Sequence, residues 1–226
     1  MIQQPHIAND FKERLRGSMQ SEMLNFTTIR VSRHENVYIL GEQAKMVYFI
    51  ESGQIKLRML SPDGKECLLG IHTTGDTFGE LCLVGSSLRQ ETATAMEDST
   101  LRGIPCARFF RHLGHYSLVE GFVQYLAVRV ADQQQIIAHL LTVDSEHRLG
   151  ETLLALARKL GKQDPRSKRI EQKITHEELS QMVGTTRPRV TKFMLKFRDL
   201  GLITVSPEHF LIVNEKKLAA YLTQLA

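Results

Sequence analysis

The stretch from Ile174 to Ile203 limits what this chain can fold into more tightly than any other: Ile-Thr-His-Glu-Glu-Leu-Ser-Gln-Met-Val-Gly-Thr-Thr-Arg-Pro-Arg-Val-Thr-Lys-Phe-Met-Leu-Lys-Phe-Arg-Asp-Leu-Gly-Leu-Ile. Thr175 with Glu178 three residues on is a capping box, and Ile174 supplies the apolar neighbour of a hydrophobic staple. A helix therefore starts here, has an apolar side in Leu179, Met182 and Val183, and stops at Gly184, which can take the positive φ of a helix end. Thr186 caps a second helix, whose first turn tolerates Pro188 because the amides there have no intrahelical partner.

Placed at about 100° per residue, Val190, Phe193, Met194, Phe197 and Leu200 share an arc of about 120°, the core side of the second helix. Arg187, Arg189, Thr191, Lys192, Lys196 and Arg198 fall outside it, with Leu195 as an apolar exception. Two short helices about a Gly turn, the second cationic at its start, form a helix-turn-helix able to enter a DNA major groove. The candidate DNA contacts are Thr185, Thr186, Arg187, Arg189, Thr191, Lys192 and Lys196. Leu202 to Val205, the turn Ser206-Pro207-Glu208-His209 and Phe210 to Val213 predict a two-stranded wing.

Charge supports a polyanionic partner. Residues 1–145 hold 14 Lys+Arg against 16 Asp+Glu (−2), whereas residues 146–226 hold 15 against 9 (+6), so the basic excess lies with the helix-turn-helix. Cys67, Cys82 and Cys106 are scattered singly, which predicts reduced thiols and neither a disulfide framework nor a zinc site. The N-terminal residues carry no signal-peptide pattern, and no apolar run reaches the roughly 18 residues of a membrane span. The expectation is a soluble cytoplasmic protein that makes no membrane contact.

Ahead of the helix-turn-helix the texture changes twice. Residues 1–26 carry Phe11, Leu15, Met19, Met23 and Leu24 at spacings that suit one or two short helices, an N-terminal flap. Residues 27–115 then run as short apolar segments, Val37–Leu40, Val47–Ile50, Ile55–Leu60 and Cys67–Ile71 among them. Gly41, Gly53, Gly64, Gly75, Gly79 and Gly85 punctuate these segments at close to ten-residue spacing. That pattern predicts an all-β roll or sandwich, with Ser61-Pro62-Asp63-Gly64 as a hairpin turn.

Within residues 116–143, the dimerisation segment of this division, Leu118 to Leu141 predict a long helix of about 25 residues, roughly 38 Å. Val123, Leu126, Val130, Gln133, Ile137 and Leu140 follow the 3-4-3-4-3 spacing of a coiled-coil seam, with Gln133 as a polar register residue. A seam helix beside a DNA reader predicts a homodimer that reads two half-sites. Asp144 and Ser145 interrupt the pattern, a helix resumes from His147 to Leu160, and Gly161 to Arg169 reads as a polar exposed loop around Pro165. Residues 144–226 form the DNA-binding domain in this division.

These features together resemble the cyclic-AMP receptor protein and fumarate-nitrate regulator (CRP/FNR) family of bacterial transcription factors. The resemblance runs from about residue 30 to 213. It rests on Gly41-Glu42, on Gly75-Asp76-x-Phe78-Gly79-Glu80-Leu81, on Arg89 in a following loop, on the long helix, on Arg148-Leu149, and on Ile174 to Ile203. It implies an α+β chain: a jelly-roll-like β-roll effector domain, a dimerising helix and a winged helix-turn-helix. In nucleotide-binding relatives a Gly-Glu pair holds the ribose, and an Arg-Ser holds the cyclic phosphate by charge-assisted bonding.

By that resemblance the candidate effector contacts are Gly79, Glu80, Leu81, Arg89, Gln90, Gln133 and Gln134. Gln90 stands where the Ser is expected, Glu91 would put a negative charge beside the phosphate, and Gln133-Gln134 replaces a Thr-Ser pair that meets the base. Alternatively, Gly79 and Glu80 only shape a roll turn and Arg89 pairs with Glu91 or another carboxylate. Cyclic AMP or another small effector and a nucleotide-independent dimer therefore both remain open. The iron–sulfur branch needs cysteines near the N-terminus, and a haem branch needs His where this chain has Leu81, so neither cofactor is expected.

In the recognition helix Arg187 matches an Arg that grips guanine, while Pro188 and Lys192 depart from the family, so no half-site sequence is carried over. Arg189 and Thr191 are suited to bases or to phosphates. The implied partners are palindromic double-stranded DNA, a second copy of the chain and RNA polymerase. A regulatory module acting through a protein partner is the alternative. No nucleophile–base set, metal spacing or Walker loop points to an enzyme.

Overall fold

The computed structural model describes residues 4–19, 26–61, 64, 66–164, 167–170, 174–206 and 210–225. Expectations resting on Met23, Leu24, Pro62, Asp63, Pro165 and residues 207–209 lie outside these. The chain divides into two compact units, Met1–Gln134 and Gln135–Ala226.

The first unit begins with α1 (Gln4–Ser18) and continues through β1 (Thr27–Val31), β2 (Asn36–Tyr38), β3 (Met46–Ser52), β4 (Gln54–Leu60), β5 (Glu66–Thr73) and β6 (Thr77–Phe78). A 3-10 turn (Glu80–Val84) follows, then β7 (Thr92–Ala95), β8 (Ser99–Pro105), α2 (Cys106–His115) and α3 (Val119–Thr142), within which the division between the units falls. Two four-stranded antiparallel sheets, ordered β1-β8-β3-β6 and β2-β7-β4-β5, make the roll.

The six glycines that punctuate the β segments all adopt positive φ, from 78° at Gly79 to 98° at Gly53. At Gly53 an added Cβ would lie 2.1 Å from Ser99 Oγ, so both backbone conformation and space demand glycine in that turn.

The continuous apolar run Val47-Tyr48-Phe49-Ile50 is a strand buried on both faces. Successive side chains alternate across β3. Tyr48 and Ile50 join Val31, Tyr38, Ile55, Leu57 and Phe78 in the roll interior, while Val47 and Phe49 join a second core built on the helices. That second core takes Phe11, Leu15 and Met19 from the N-terminal segment, Phe109 and Leu113 from α2, and Phe122 and Tyr125 from α3. The N-terminal helix, expected as a flap on the domain that follows, contributes its apolar side to this core. Lys12 adds a 2.6 Å ion pair with the buried Asp76, whose other carboxylate oxygen accepts from Thr73 N at 2.8 Å.

His112 on α2 is 6% exposed, with Nε2 2.8 Å from Ser18 Oγ and its ring 4.5 Å from that of Tyr116. Burial, and then the charge of His115, hold its pKa below the ordinary 6.5. The fold therefore favours the neutral ring. Its contribution is complete above about pH 6.5 and is lost as pH falls through the lower folded value, because the unfolded chain binds the proton first. We expect the melting temperature to drop as pH is lowered from 7 to 5, and His112→Gln to flatten that drop. Parallel profiles for the two proteins would sink the assignment.

The second unit takes in the end of α3 and then α4 (Ser145–Leu160), the strands β9 (Gly161–Asp164) and β10 (Ser167–Ile170), α5 (His176–Val183), α6 (Arg187–Asp199), β11 (Ile203–Val205), β12 (Leu211–Val213) and α7 (Glu215–Leu225). Asp144, where the helical pattern breaks, caps α4 by accepting from His147 N at 2.8 Å.

The segment expected as a loop, Gly161 to Arg169, is instead a hairpin. β9 pairs with β10, and β10 pairs with β12, giving a four-stranded wing ordered β11-β12-β10-β9. Lys162 and Arg169 are exposed on it, and Ile170, fully buried, anchors its end. Gly161 makes the helix-to-strand corner: a Cβ there would lie 2.2 Å from Ala157 O. The helix α7, absent from the sequence expectations, packs on α4 where Gly150 leaves room for Leu222; a Cβ on Gly150 would meet that side chain at 2.5 Å.

Candidate nucleic-acid interface and effector pocket

The helix-turn-helix assembles from local signals. Thr175 Oγ1 accepts from Glu178 N at 3.1 Å while Glu178 Oε2 accepts from Thr175 N at 2.9 Å, so the capping box closes both ways. Gly184 ends α5 at φ 66°. Thr186 takes the N-cap position of α6, but its hydroxyl makes no capping bond. Pro188 at the second helical position has no N–H to offer, which removes one of the two amides a capping side chain can reach.

On α6, Val190 and Phe197 are fully buried and Met194 is 9% exposed, whereas Leu200 is 49% exposed. The helix ends at Asp199, so Leu200 leaves the core arc and Leu202 and Ile203 fill the core instead.

Thr185, Thr186, Arg187, Arg189, Thr191, Lys192 and Lys196 do lie together at the turn and along α6, but they are not equivalent. Among the described residues Arg187, Arg189 and Lys192 are exposed and have no ion-pair partner. Thr191 Oγ1 donates to Arg187 O at 3.0 Å and lies 2.9 Å from His176 Nδ1, which ties α6 to α5.

Lys196 is already engaged. Its Nζ donates to Glu146 Oε1 at 2.7 Å and Oε2 at 3.0 Å, and it lies 5.6 Å from the Tyr221 ring. Its hydrogen bonds to Glu146 and then Tyr221 raise its pKa. Lys196 therefore anchors α6 to α4 and α7. Arg148 does the same for α5: Nε donates to Val183 O at 2.9 Å and Nη1 to Val143 O at 2.6 Å. No spacing in the sequence marks Glu146 or Tyr221 as partners of Lys196.

In the roll, Arg89 is 4% exposed and turned inward. Nη1 donates to Gly79 O at 2.9 Å and Nη2 to Met46 O at 2.7 Å, and the guanidinium lies 4.1 Å from the Tyr38 ring centroid and 5.4 Å from that of Tyr48. An added Cβ on Gly79 would come 2.7 Å from Arg89 Nη1, so glycine is what lets the guanidinium sit there. Tyr38 OH donates to the buried Glu91 at 2.7 Å, and burial, then the Glu91 charge, raise the phenol pKa. Arg89 thus bonds carbonyls, and Glu91 takes the tyrosine.

Tyr38, Tyr48 and Phe78 fill the space beside them, with Tyr48 and Phe78 stacked at 5.1 Å. Glu80 forms a 2.6 Å ion pair with Arg129 of α3; burial, the largest single influence, pulls the Arg129 pKa down, but Glu80, Tyr125 and Asp76 together outweigh it and the net shift is upward. Of the expected effector contacts, Gly79, Glu80 and Arg89 come together, while Leu81, Gln90, Gln133 and Gln134 are exposed. The Arg89 cation thus bonds two carbonyls here, and the buried carboxylate of Glu91 follows two residues on. Arg129, Tyr38 and Tyr48 were not legible as pocket residues, because nothing in local spacing marks them.

Along α3, Val123 and Ile137 are 58% exposed, Val130 50% and Leu140 45%, with Ile136 at 51% and Leu141 at 83% beside them. Gln133 is exposed with them, whereas Leu126 packs against the helical core of the first unit. Leu140 also approaches the end of α5, where its Cδ2 lies 3.0 Å from a Cβ built on Gly184.

A β-roll followed by a long helix with an exposed apolar stripe and a winged helix-turn-helix defines a DNA-binding regulator with a cyclic-nucleotide-type sensor domain. Residues 28–116 match the family model of the cyclic nucleotide-binding domain, and residues 147–221 match that of the Crp-like helix-turn-helix domain. The chain is 30% identical over 190 residues to a CRP-like cAMP-activated global transcriptional regulator of Mycobacterium tuberculosis, covering 83% of this chain and 84% of that one. It is 32% identical over 181 residues to the transcriptional regulator LdrP of Thermus thermophilus, covering 78% and 87%. The solved structure of a CRP-family transcriptional regulator from Thermus thermophilus superposes with a TM-score of 0.72 at 27% identity, over 86% of this chain and 96% of that one. The chain belongs to the CRP/FNR family of bacterial transcriptional regulators.

Proposed function

We propose that this protein is a homodimeric, sequence-specific regulator of transcription in the cytoplasm, competent for DNA without a cyclic nucleotide, which recruits or blocks RNA polymerase. The DNA-reading role rests on the exposed Arg187, Arg189 and Lys192, which have no ion-pair partner among the described residues, on a helix held by the Lys196–Glu146 anchor. The observation that carries nucleotide independence is the commitment of Arg89 to Gly79 O and Met46 O, with Glu91 alongside. Extracting Arg89 toward a phosphate would leave the buried Gly79 carbonyl and the partly buried Met46 carbonyl without it, at about 1–3 kcal/mol for a fully buried orphaned group. Support for the dimer comes from the exposed Val123, Val130 and Ile137 on α3. No helix among the described residues is long and apolar enough to cross a membrane.

The test is selection of the purified protein on random duplexes with and without cyclic AMP, at one fixed salt concentration because each phosphate contact adds about 0.9 to the salt slope. One palindrome, with half-sites about one helical turn apart, is expected in both arms. Enrichment only with cyclic AMP would refute nucleotide independence. Enrichment in neither arm would favour an output through a protein partner.

A further inference from the structure

The exposed face of α6 is not uniformly cationic. Pro188 is exposed, Leu195 is 46% exposed, and with Thr191 and Lys192 they line an open groove of about 570 Å3 along the helix. At about 100° per residue, Pro188, Thr191 and Leu195 fall within about 60° of one another, opposite the buried Val190 and Phe197. Arg187 and Lys192 flank that line on either side. An apolar strip between two cations suits a surface that is anionic at its rims and apolar at points along its floor. The major groove of duplex DNA has this character: phosphates bound it, and the C5-methyl of thymine is the apolar group on a base edge. Every other base edge offers donors or acceptors, which an apolar side chain would strip of water without replacing the bond.

We propose that Pro188 and Leu195, continued by the Thr191 methyl, are specificity-determining residues that select thymine methyl groups in each half-site. Pro188 stands in the first turn, next to Arg187, where recognition helices meet base edges. The thymine it reads therefore neighbours the guanine that Arg187 is suited to grip through O6 and N7. Leu195 lies seven residues on, about 10.5 Å along the axis, or roughly three base-pair steps away. This inference rests on the DNA-reading role proposed above.

Deoxyuridine provides the test, because it keeps thymine's hydrogen-bonding pattern and lacks only the methyl. In the duplex selected by the full-length protein, each half-site thymine is replaced in turn by deoxyuridine and the affinity measured. We expect a loss of roughly fourfold at a thymine adjacent to guanine, the transfer free energy of about one buried CH2 group, and a similar loss at a second thymine further along. Pro188→Ser should abolish the first discrimination and Leu195→Gln the second. Both sites are exposed, and circular dichroism checks that the variants are folded. A selected site without thymine at these positions, affinities indifferent to deoxyuridine, or discrimination that survives both substitutions would overturn the proposal. Failure to select any site would instead count against the DNA-reading role itself.

Discussion

Replacing Val130 and Ile137 together by glutamate is expected to convert the protein to a monomer and to weaken binding to its palindromic site by about 10²–10⁴-fold, the avidity a dimer gains once its first half-site is bound. The two residues lie on the exposed stripe of α3, 50% and 58% accessible, seven positions apart and so two helical turns along one line. Ile136 and Leu141 widen the stripe, an extended apolar patch of the kind that marks an association surface. Facing copies of α3 would bury these side chains as seam residues, and four glutamates there would be desolvated and mutually repelling. Exposed positions leave the fold of each chain untouched, so circular dichroism should not change while sedimentation and footprinting do. A variant that still sediments as a dimer would show that the chain associates through another surface.

Phe11→Ala is expected to remove about 3–5 kcal/mol of stability, the cost of deleting a buried aromatic side chain. Phe11 is 1% exposed, its ring centroid 5.6 Å from that of Phe122 and 5.2 Å from that of Tyr125, and it fits against Gly121. A Cβ on Gly121 would lie 3.3 Å from the Phe11 ring, so α3 leaves a seat for this residue. In urea unfolding the midpoint should fall with the slope unchanged, since the substitution alters stability and not the extent of surface exposed. A change below about 1 kcal/mol, far under the range for a buried aromatic, would mean that the first helix contributes little to the core.

The recognition helix shows where a sequence-level reading of the DNA face stops. The Thr175–Glu178 capping box, the Gly184 turn and the buried stripe as far as Phe197 were legible from adjacent residues, and so was the cationic character of the outer face. What could not be read was which cations are free. Lys196 and Arg187 look alike in sequence, yet Glu146, fifty positions upstream of Lys196, binds one of them and not the other. The effector pocket divides in the same way. Gly79, Glu80 and Arg89 were legible as a group, but the direction in which Arg89 points depends on Met46 O and on the rings of Tyr38 and Tyr48, which reach it from other strands.

By itself the sequence determined whatever depends on a few neighbouring residues: positive-φ glycines in the roll turns, the Thr175–Glu178 capping box, the 3.6-residue stripes of the helices and the apolar spacing along α3. Backbone strain, capping bonds and periodicity act within one or two turns of chain, so they are written locally. Only the tertiary structure decided that the polar segment Gly161–Arg169 becomes a hairpin, that the N-terminal helix belongs to the core, that Lys196 is an anchor and that Arg89 is committed inside the roll. Each of these is settled by partners distant in sequence: β12 for the hairpin, α3 for Phe11, α4 for Lys196 and β3 for Arg89. The free energy of such pairings comes from removing groups from water together, a property of the packed chain that no local pattern records.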